Sequence, residues 1–242
     1  FEVDLERLLA INSIDNMMIA TRNTMQPVKC GDKLAGTRII PLVIEEEKMK
    51  AVTAIADERN PILTVKPFAR KRAGVVTTGS EVYKGRIEDT FTPVIAEKLK
   101  AFGVEIELHR MVPDEKEQIE EAIRELKEAG LDLIVCTGGM SVDPDDLTPA
   151  AIKCSGAEII TYGAPVLPGA MFLLGYFGDG TPIMGLPGCV MYAKATIFDM
   201  ILPRVLANVQ VTKKDIVKLG NGGLCLSCPV CHYPNCGYGK GV

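Results

Sequence analysis

Residues 131–141 read Leu131-Asp132-Leu133-Ile134-Val135-Cys136-Thr137-Gly138-Gly139-Met140-Ser141. The first six are a short apolar run, and a glycine pair ends it. Such a run between turn signals is a strand buried on both faces. Working outward, residues 114–130 predict an amphipathic helix. Asp114 and Glu117 are spaced as a capping pair, Ile119, Ala122, Ile123 and Leu126 form one apolar stripe, and Gly130 stops it. Val104, Ile106 and Leu108 alternate with Glu105, Glu107 and His109, as in a strand with one wet face, which puts His109 at the surface. Pro93 to Phe102 predicts a helix with Thr92 as N-cap and Pro93 at its first position. Ala73 to Thr77 is a further buried strand. Strands alternating with helices give an α/β fold with a mostly parallel sheet covered on both faces.

Further strands are expected at Ala157–Thr161, Met171–Tyr176 and Pro182–Met184, and a helix from Val190 to Leu206. Before residue 68 the pattern differs. Met17–Ala20 and Thr37–Ile44 read as strands around the turn Lys29–Lys33, and Glu45–Glu58 as a polar helix. Three regions follow: a small β-rich part at 1–67, expected to belong to a truncated larger domain because the chain opens at Phe1; a body at 68–210; and a Cys-rich, metal-binding tail at 211–242.

The 242 residues are 47% hydrophobic and 24% charged, values that exclude disorder over most of the length. The net charge of −4, the absence of Trp and an aromatic share of 5% argue against nucleic acid as a partner. The longest apolar stretch, 165–177, is too short for a membrane span, and Asp4, Glu6 and Arg7 stand where a signal peptide would be apolar. The expected location is the cytoplasm.

In an open α/β sheet, ligands bind beyond the carboxyl ends of the strands. Three glycine-bearing loops leave strand ends: Thr77-Thr78-Gly79-Ser80-Glu81, Thr137-Gly138-Gly139-Met140-Ser141, and Gly185-Leu186-Pro187-Gly188. Glycine lets the backbone approach a ligand, and N–H groups beside hydroxyls form an anion cradle. Each loop alone is equally consistent with a tight turn. The second runs into Asp143-Pro144-Asp145-Asp146-Leu147-Thr148-Pro149, where Asp146 is either a ligand group or the cap of the next helix. Carboxylates beside a phosphate cradle make sense with a bridging divalent cation or a ligand bearing N–H donors.

These stretches, with Val112-Pro113-Asp114-Glu115 and Gly85-Arg86-Ile87-Glu88-Asp89, resemble the molybdopterin-binding domain of molybdenum cofactor biosynthesis. That family includes molybdopterin adenylyltransferases, molybdopterin molybdenumtransferases and both halves of gephyrin. The resemblance covers about residues 73–206. It implies a three-layer α/β/α fold and a site for the phosphate and pterin of molybdopterin, whose adjacent ring N–H groups suit a carboxylate. Site residues implied are Thr78, Gly79, Ser80, Asp89, Thr137, Gly138, Gly139, Ser141, Pro187 and Gly188 for substrate. Asp146 and Asp114 are implied as catalytic, with Asp146 toward Mg²⁺. For Asp114 and Asp89, helix capping is the competing explanation. The implied activity is transfer of molybdate to the dithiolene with AMP release. A non-catalytic carrier docking on a recipient molybdoenzyme and a nucleotide-cleaving hydrolase are the rivals. A homo-oligomer, dimer or trimer, is implied as well.

Two departures stand out. The transferases carry Lys-Pro-Gly-Lys where this chain has Leu167-Pro168-Gly169-Ala170, so two cationic anchors for an anion are missing. Cys189-Val190 replaces the family's Asn-Pro, and a packing role is the simpler reading of Cys189.

The tail resembles that of a subgroup ending in a Cys-rich segment. Cys225, Cys228, Cys231 and Cys236 follow one another at x2, x2 and x4 spacing, with His232 adjacent. A bound metal is expected. Structural zinc usually takes two ligand pairs separated by a longer loop, and successive x2 spacings resemble iron–sulfur ligation but depart from the ferredoxin pattern, so zinc and an iron–sulfur cluster stand level. Empty, reduced thiols are the alternative.

Overall fold

The computed structural model describes residues 1–57, 59–141, 143 and 146–241. They fall into two contact units, Phe1–Pro67 and Phe68–Val242. No helix among the described residues is long and apolar enough to cross a membrane.

The first unit holds β1 (Glu2–Val3), α1 (Leu5–Asn12), β2 (Met17–Thr21), β3 (Ala35–Ile39), α2 (Glu46–Ile55) and β4 (Leu63–Thr64). β1 pairs antiparallel with β4, and β2 with β3. Ile11, Met17 and Val52 form its small core. β3 stops at Ile39 rather than running to Ile44, because Pro41 brings no N–H to a ladder. Leu42 and Val43 stand exposed beyond it. Glu58, the expected end of the polar helix, lies outside the described residues.

The second unit runs β5 (Arg72–Thr78), α3 (Ser80–Tyr83), α4 (Phe91–Lys100), β6 (Glu105–Val112), α5 (Lys116–Glu128), β7 (Leu133–Thr137), α6 (Thr148–Cys154), β8 (Glu158–Tyr162), β9 (Leu173–Tyr176), β10 (Pro182–Leu186), a 3₁₀ turn at Gly188–Met191, α7 (Ile197–Leu206) and α8 (Lys213–Lys218). The sheet order is β6-β5-β7-β10-β9-β8. The first four strands are mutually parallel, and β9 runs antiparallel to both β10 and β8. This is the α/β, mostly parallel architecture that the sequence pattern predicts.

Alternation along each strand sends successive side chains to opposite faces. Val75, Val135 and Met184 join Ile95, Leu99 and the apolar side of α7 in one core. Val76, Ile134 and Ile183 join Ile119, Ile123, Leu126 and Ile152 of α5 and α6 in the other. At the opposite edge from the loops, Arg70 donates to the carbonyls of Val205, Asp132 and Gly180.

Several boundaries depart from the sequence reading for local reasons. The expected helix 190–206 is two elements, because Thr196 and Asp199 form a reciprocal capping box that starts α7 afresh. α4 begins at Phe91: Asp89 accepts the N–H groups of Phe91 and Thr92, and Thr92 lies in the first turn instead of capping it. The Asp114–Glu117 capping pair does not form. The residue before α5 is Glu115, which makes no side-chain cap bond. Thr196→Ala should cost about 1–2 kcal/mol in a denaturant titration, since a buried cap loses both its bonds. Glu115→Ala, at an uncapped start, should stay within about 0.5 kcal/mol.

Candidate functional site

Register brings the three glycine loops to one level. Thr77 of β5 is paired with Thr137 of β7, and Thr137 with Leu186 of β10. Gly138, Thr78 and Pro187 therefore leave the sheet side by side at its carboxyl edge.

The contact between the first two loops is very close. A Cβ built on Gly138 would collide with the Thr78 carbonyl oxygen and lie 2.6 Å from the Thr78 Oγ1. Gly138 and Gly139 have φ of +82° and +51°, so two consecutive residues sit in the left-handed region. Glycine at both positions leaves the backbone N–H groups of the turn open to close approach by an anion. Gly139 rests on the Thr148 hydroxyl, and the Thr78 and Thr148 hydroxyls are 3.1 Å apart and buried. Gly188 is different. Its side has open space and its φ is not positive, so glycine there is not dictated by geometry.

The carboxylates fasten loops. Asp146 accepts the N–H of Ser141 at 2.5 Å, closing the Gly-Gly-Met-Ser turn, and does not cap α6. Its half-buried group stands beside Gly139. Asp114 accepts the Ser80 N–H at 2.7 Å, while its own N–H donates to the Ser80 Oγ at 3.3 Å. It thus ties the loop after β6 to the loop after β5, a role outside the capping explanation. Asp145, another acid of that run, lies outside the described residues. Ser141 is exposed, and Pro187 buried.

Two features are not legible in the sequence. Tyr162, ending β8, donates from its hydroxyl to the Ser141 carbonyl at 3.2 Å. Burial, then the charge of Asp146, raises its pKa. The other is on the opposite face of β5. His109 Nε2 lies 2.9 Å from the Thr77 Oγ1 and 3.2 Å from the Thr92 Oγ1, and 3.6 Å from Asp89. His109 is therefore half-buried and bonded, not a surface residue. The hydroxyls of Thr77 and Thr92 offset its desolvation, and a strand's alternation pattern cannot show that. Burial would raise the Asp89 pKa, but the Thr92 hydroxyl and the amides of Thr92 and Phe91 hold it below the usual value. Thr137 joins this chain of hydroxyls through Thr77 at 3.4 Å.

A family model described as "Probable molybdopterin binding domain" matches residues 74–207, a little over half of the chain. The chain belongs to this molybdopterin-binding domain family. Among curated proteins, a CinA-like protein of Mycobacterium sp. (strain MCS) is 42% identical over 90 residues, which are 37% of this chain and 21% of that protein. Its counterpart in Mycobacterium avium (strain 104) is 39% identical over the same shares. The chain thus matches about a fifth of the length of these relatives. Similar solved structures include CinA of Thermoplasma acidophilum, at 21% identity, 57% of this chain, 99% of that chain and TM-score 0.48. The molybdopterin biosynthesis enzyme MoaB of Thermus thermophilus is 25% identical, over 57% and 96%, with TM-score 0.46. The molybdopterin biosynthesis Mog protein of Mycobacterium ulcerans is 24% identical, over 58% and 99%, with TM-score 0.47.

The family match stops short of the Cys-rich segment, whose described residues are docked on the body. Leu167 and Leu224 form a parallel bridge, with Leu167 N–H to Gly223 and Cys225 N–H to Leu167, both at 2.8 Å. Tyr233 donates to the Asp199 carbonyl at 3.1 Å and Tyr238 to that of Pro168 at 3.2 Å. Cys225 and Cys236 are half-buried against the core, and Cys228 and Cys231 are exposed. Among the described residues, no three His, Cys, Asp or Glu side chains are grouped to share one ion. Cys189 is half-buried, and burial pushes its thiol pKa up.

This geometry is open to test at two positions. Gly138→Ala drives a Cβ into backbone at a left-handed φ and should cost more than ~2 kcal/mol, while Gly188→Ala should be near neutral in the same unfolding assay. Burial, against the pull of Asp89 and with help from Arg110, lowers the His109 pKa. Below the ordinary His value of ~6.5 the unfolded chain then binds a proton that the folded chain does not, so His109 stabilises above that value and the contribution is lost as pH falls through the window beneath it. Between about pH 7 and pH 5, the wild type should lose more stability than His109→Gln.

Proposed function

We propose that this molybdopterin-binding domain takes molybdopterin, or its adenylylated form, at the sheet edge built by Thr78, Gly79, Ser80, Gly138, Gly139 and Ser141. In this reading it transfers molybdate to the dithiolene with release of AMP. The observation that carries the reading is the Gly138–Gly139 turn. Its two consecutive left-handed residues keep bare backbone beside the Thr78 and Thr148 hydroxyls, at positions where a Cβ would collide. Bare backbone amides beside hydroxyls are the donors that a phosphate takes.

Asp146 is the proposed catalytic carboxylate, either on the pterin N–H edge or on Mg²⁺. A magnesium ion is held by one or two carboxylates together with substrate phosphates. One half-buried carboxylate beside a phosphate cradle therefore fits an ion that arrives with its substrate. Asp114 acts on the loop through Ser80, and Asp89 and Thr137 support the same edge from beneath. The reading includes a dimer or trimer in the cytoplasm, and a thiol-bound metal on the Cys-rich segment.

A second reading rests on a specific observation. Leu167 and Ala170 stand where the transferases have lysines, and the backbone of Leu167 is engaged by Leu224. Loss of two point charges weakens the hold on molybdate or phosphate. This favours a carrier that holds mature cofactor and passes it to a recipient molybdoenzyme.

The deciding experiment is anaerobic incubation of the protein with adenylylated molybdopterin, Mg²⁺ and molybdate, following AMP. Molybdate-dependent AMP release that falls at least about tenfold in Asp146→Asn is expected. Tight pterin binding without AMP release would replace the transferase by the carrier. AMP release that ignores molybdate would point to hydrolysis.

A further inference from the structure

The four tail cysteines come to line one cavity of about 500 Å³, with His232 and the exposed Tyr192 of the loop after β10. We propose that this cavity holds a cubane iron–sulfur cluster, ligated by Cys225, Cys228, Cys231 and Cys236. The inference rests on the thiol-bound metal of the reading above and gives it an identity; it is independent of the pterin site and concerns residues that the family match does not cover.

Three observations carry it. The first is convergence. Cys225 and Cys236 enter the cavity from opposite ends of the segment, and each is packed against the apolar core. Cys228 and Cys231 lie between them on an exposed turn, helped by the left-handed backbone of Ser227. The second is rigidity. The Leu167–Leu224 bridge holds one end of the segment, and the Tyr233 and Tyr238 hydroxyls hold the other. A ligand set held at both ends loses less freedom on binding.

The third observation is size, which separates the two metal chemistries. A tetrahedral zinc ion at about 2.3 Å from each sulfur needs its four thiolates almost in contact. The described thiols are not grouped in that way, and a cavity of about 500 Å³ is far larger than one ion. A cube of four irons and four sulfides spreads its thiolates over its corners, so it asks less closeness of them than a single ion does, and the cavity has room for it. Lys194 also lines the cavity, and its charge suits an anionic cluster. Assembly is a ligand exchange: each thiol gives up its proton to solvent and forms one iron–sulfur bond, with two ferrous ions, two ferric ions and four sulfides supplied from solution, so the core forms with no electron transferred.

The test uses the full chain, reduced, freed of reductant and reconstituted under nitrogen with ferrous and ferric iron and sulfide. Expected are about four irons and four acid-labile sulfides per chain, with visible charge-transfer absorption that dithionite bleaches. Cys228→Ser and Cys231→Ser, both exposed in the protein, should lose the cluster while circular dichroism and the melting temperature without metal stay unchanged. Cys154→Ser, remote from the cavity, should keep it. Parallel titration with Co²⁺ or Zn²⁺ gives the competing outcome. One tightly held ion per chain, with no incorporation of sulfide, would overturn the cluster in favour of a mononuclear site. Full iron and sulfide content in the Cys228→Ser/Cys231→Ser double variant, or no metal uptake under any condition, would also overturn it.

Discussion

The approach of Gly138 to the carbonyl of Thr78 is the constraint on which the carboxyl edge of the sheet depends. Two parallel strands deliver their loops at the same height, and the loops can leave together only if one of them has no side chain there. Once Gly138 accepts a left-handed φ, Gly139 follows, and the chain is turned onto Thr148 and back toward Asp146. Asp114 then does for the first loop what Asp146 does for the second, since each offers a carboxylate to a backbone N–H. The edge is thus held by polar bonds on backbone that is already committed by packing.

Each face of β5 carries its own polar layer above an apolar one. Toward α6, Thr78 and Thr148 meet in the buried interior. Toward α4, Thr77, Thr92, His109 and Asp89 form a longer chain of donors and acceptors. Buried hydroxyls of this kind are costly unless paired, and here each finds a partner. The result is a stiff platform directly under the glycine loops.

The loops and the sheet are legible in the sequence because short apolar runs followed by glycine pairs have few structural solutions. Register is not legible, yet it is what sets Thr77, Thr137 and Leu186 at one level. The carboxylates mislead for a physical reason. Asp114 has the right spacing for a capping box, but Ser80 lies 34 positions away and competes for the same oxygen. Sequence spacing sees only local rivals. The split before α7 is hidden because residues 190–202 contain neither glycine nor proline, and only the Thr196–Asp199 pair marks the restart. His109 reads as solvated because its neighbours Glu105 and Glu107 are, although Thr77 and Thr92 wait across the strand.

The docked Cys-rich segment has a consequence for how this chain is handled. Tyr238 is only 6% exposed and belongs to the same core as Phe198 and Met200. The stretch from Gly222 onward is therefore a plug in the wall of the unit, and a chain cut before it would leave a greasy socket facing water. Air matters in the same way. Mispaired thiols between residues 225 and 236 would hold that plug in the wrong shape, so the oxygen history of a preparation would be written into its solubility.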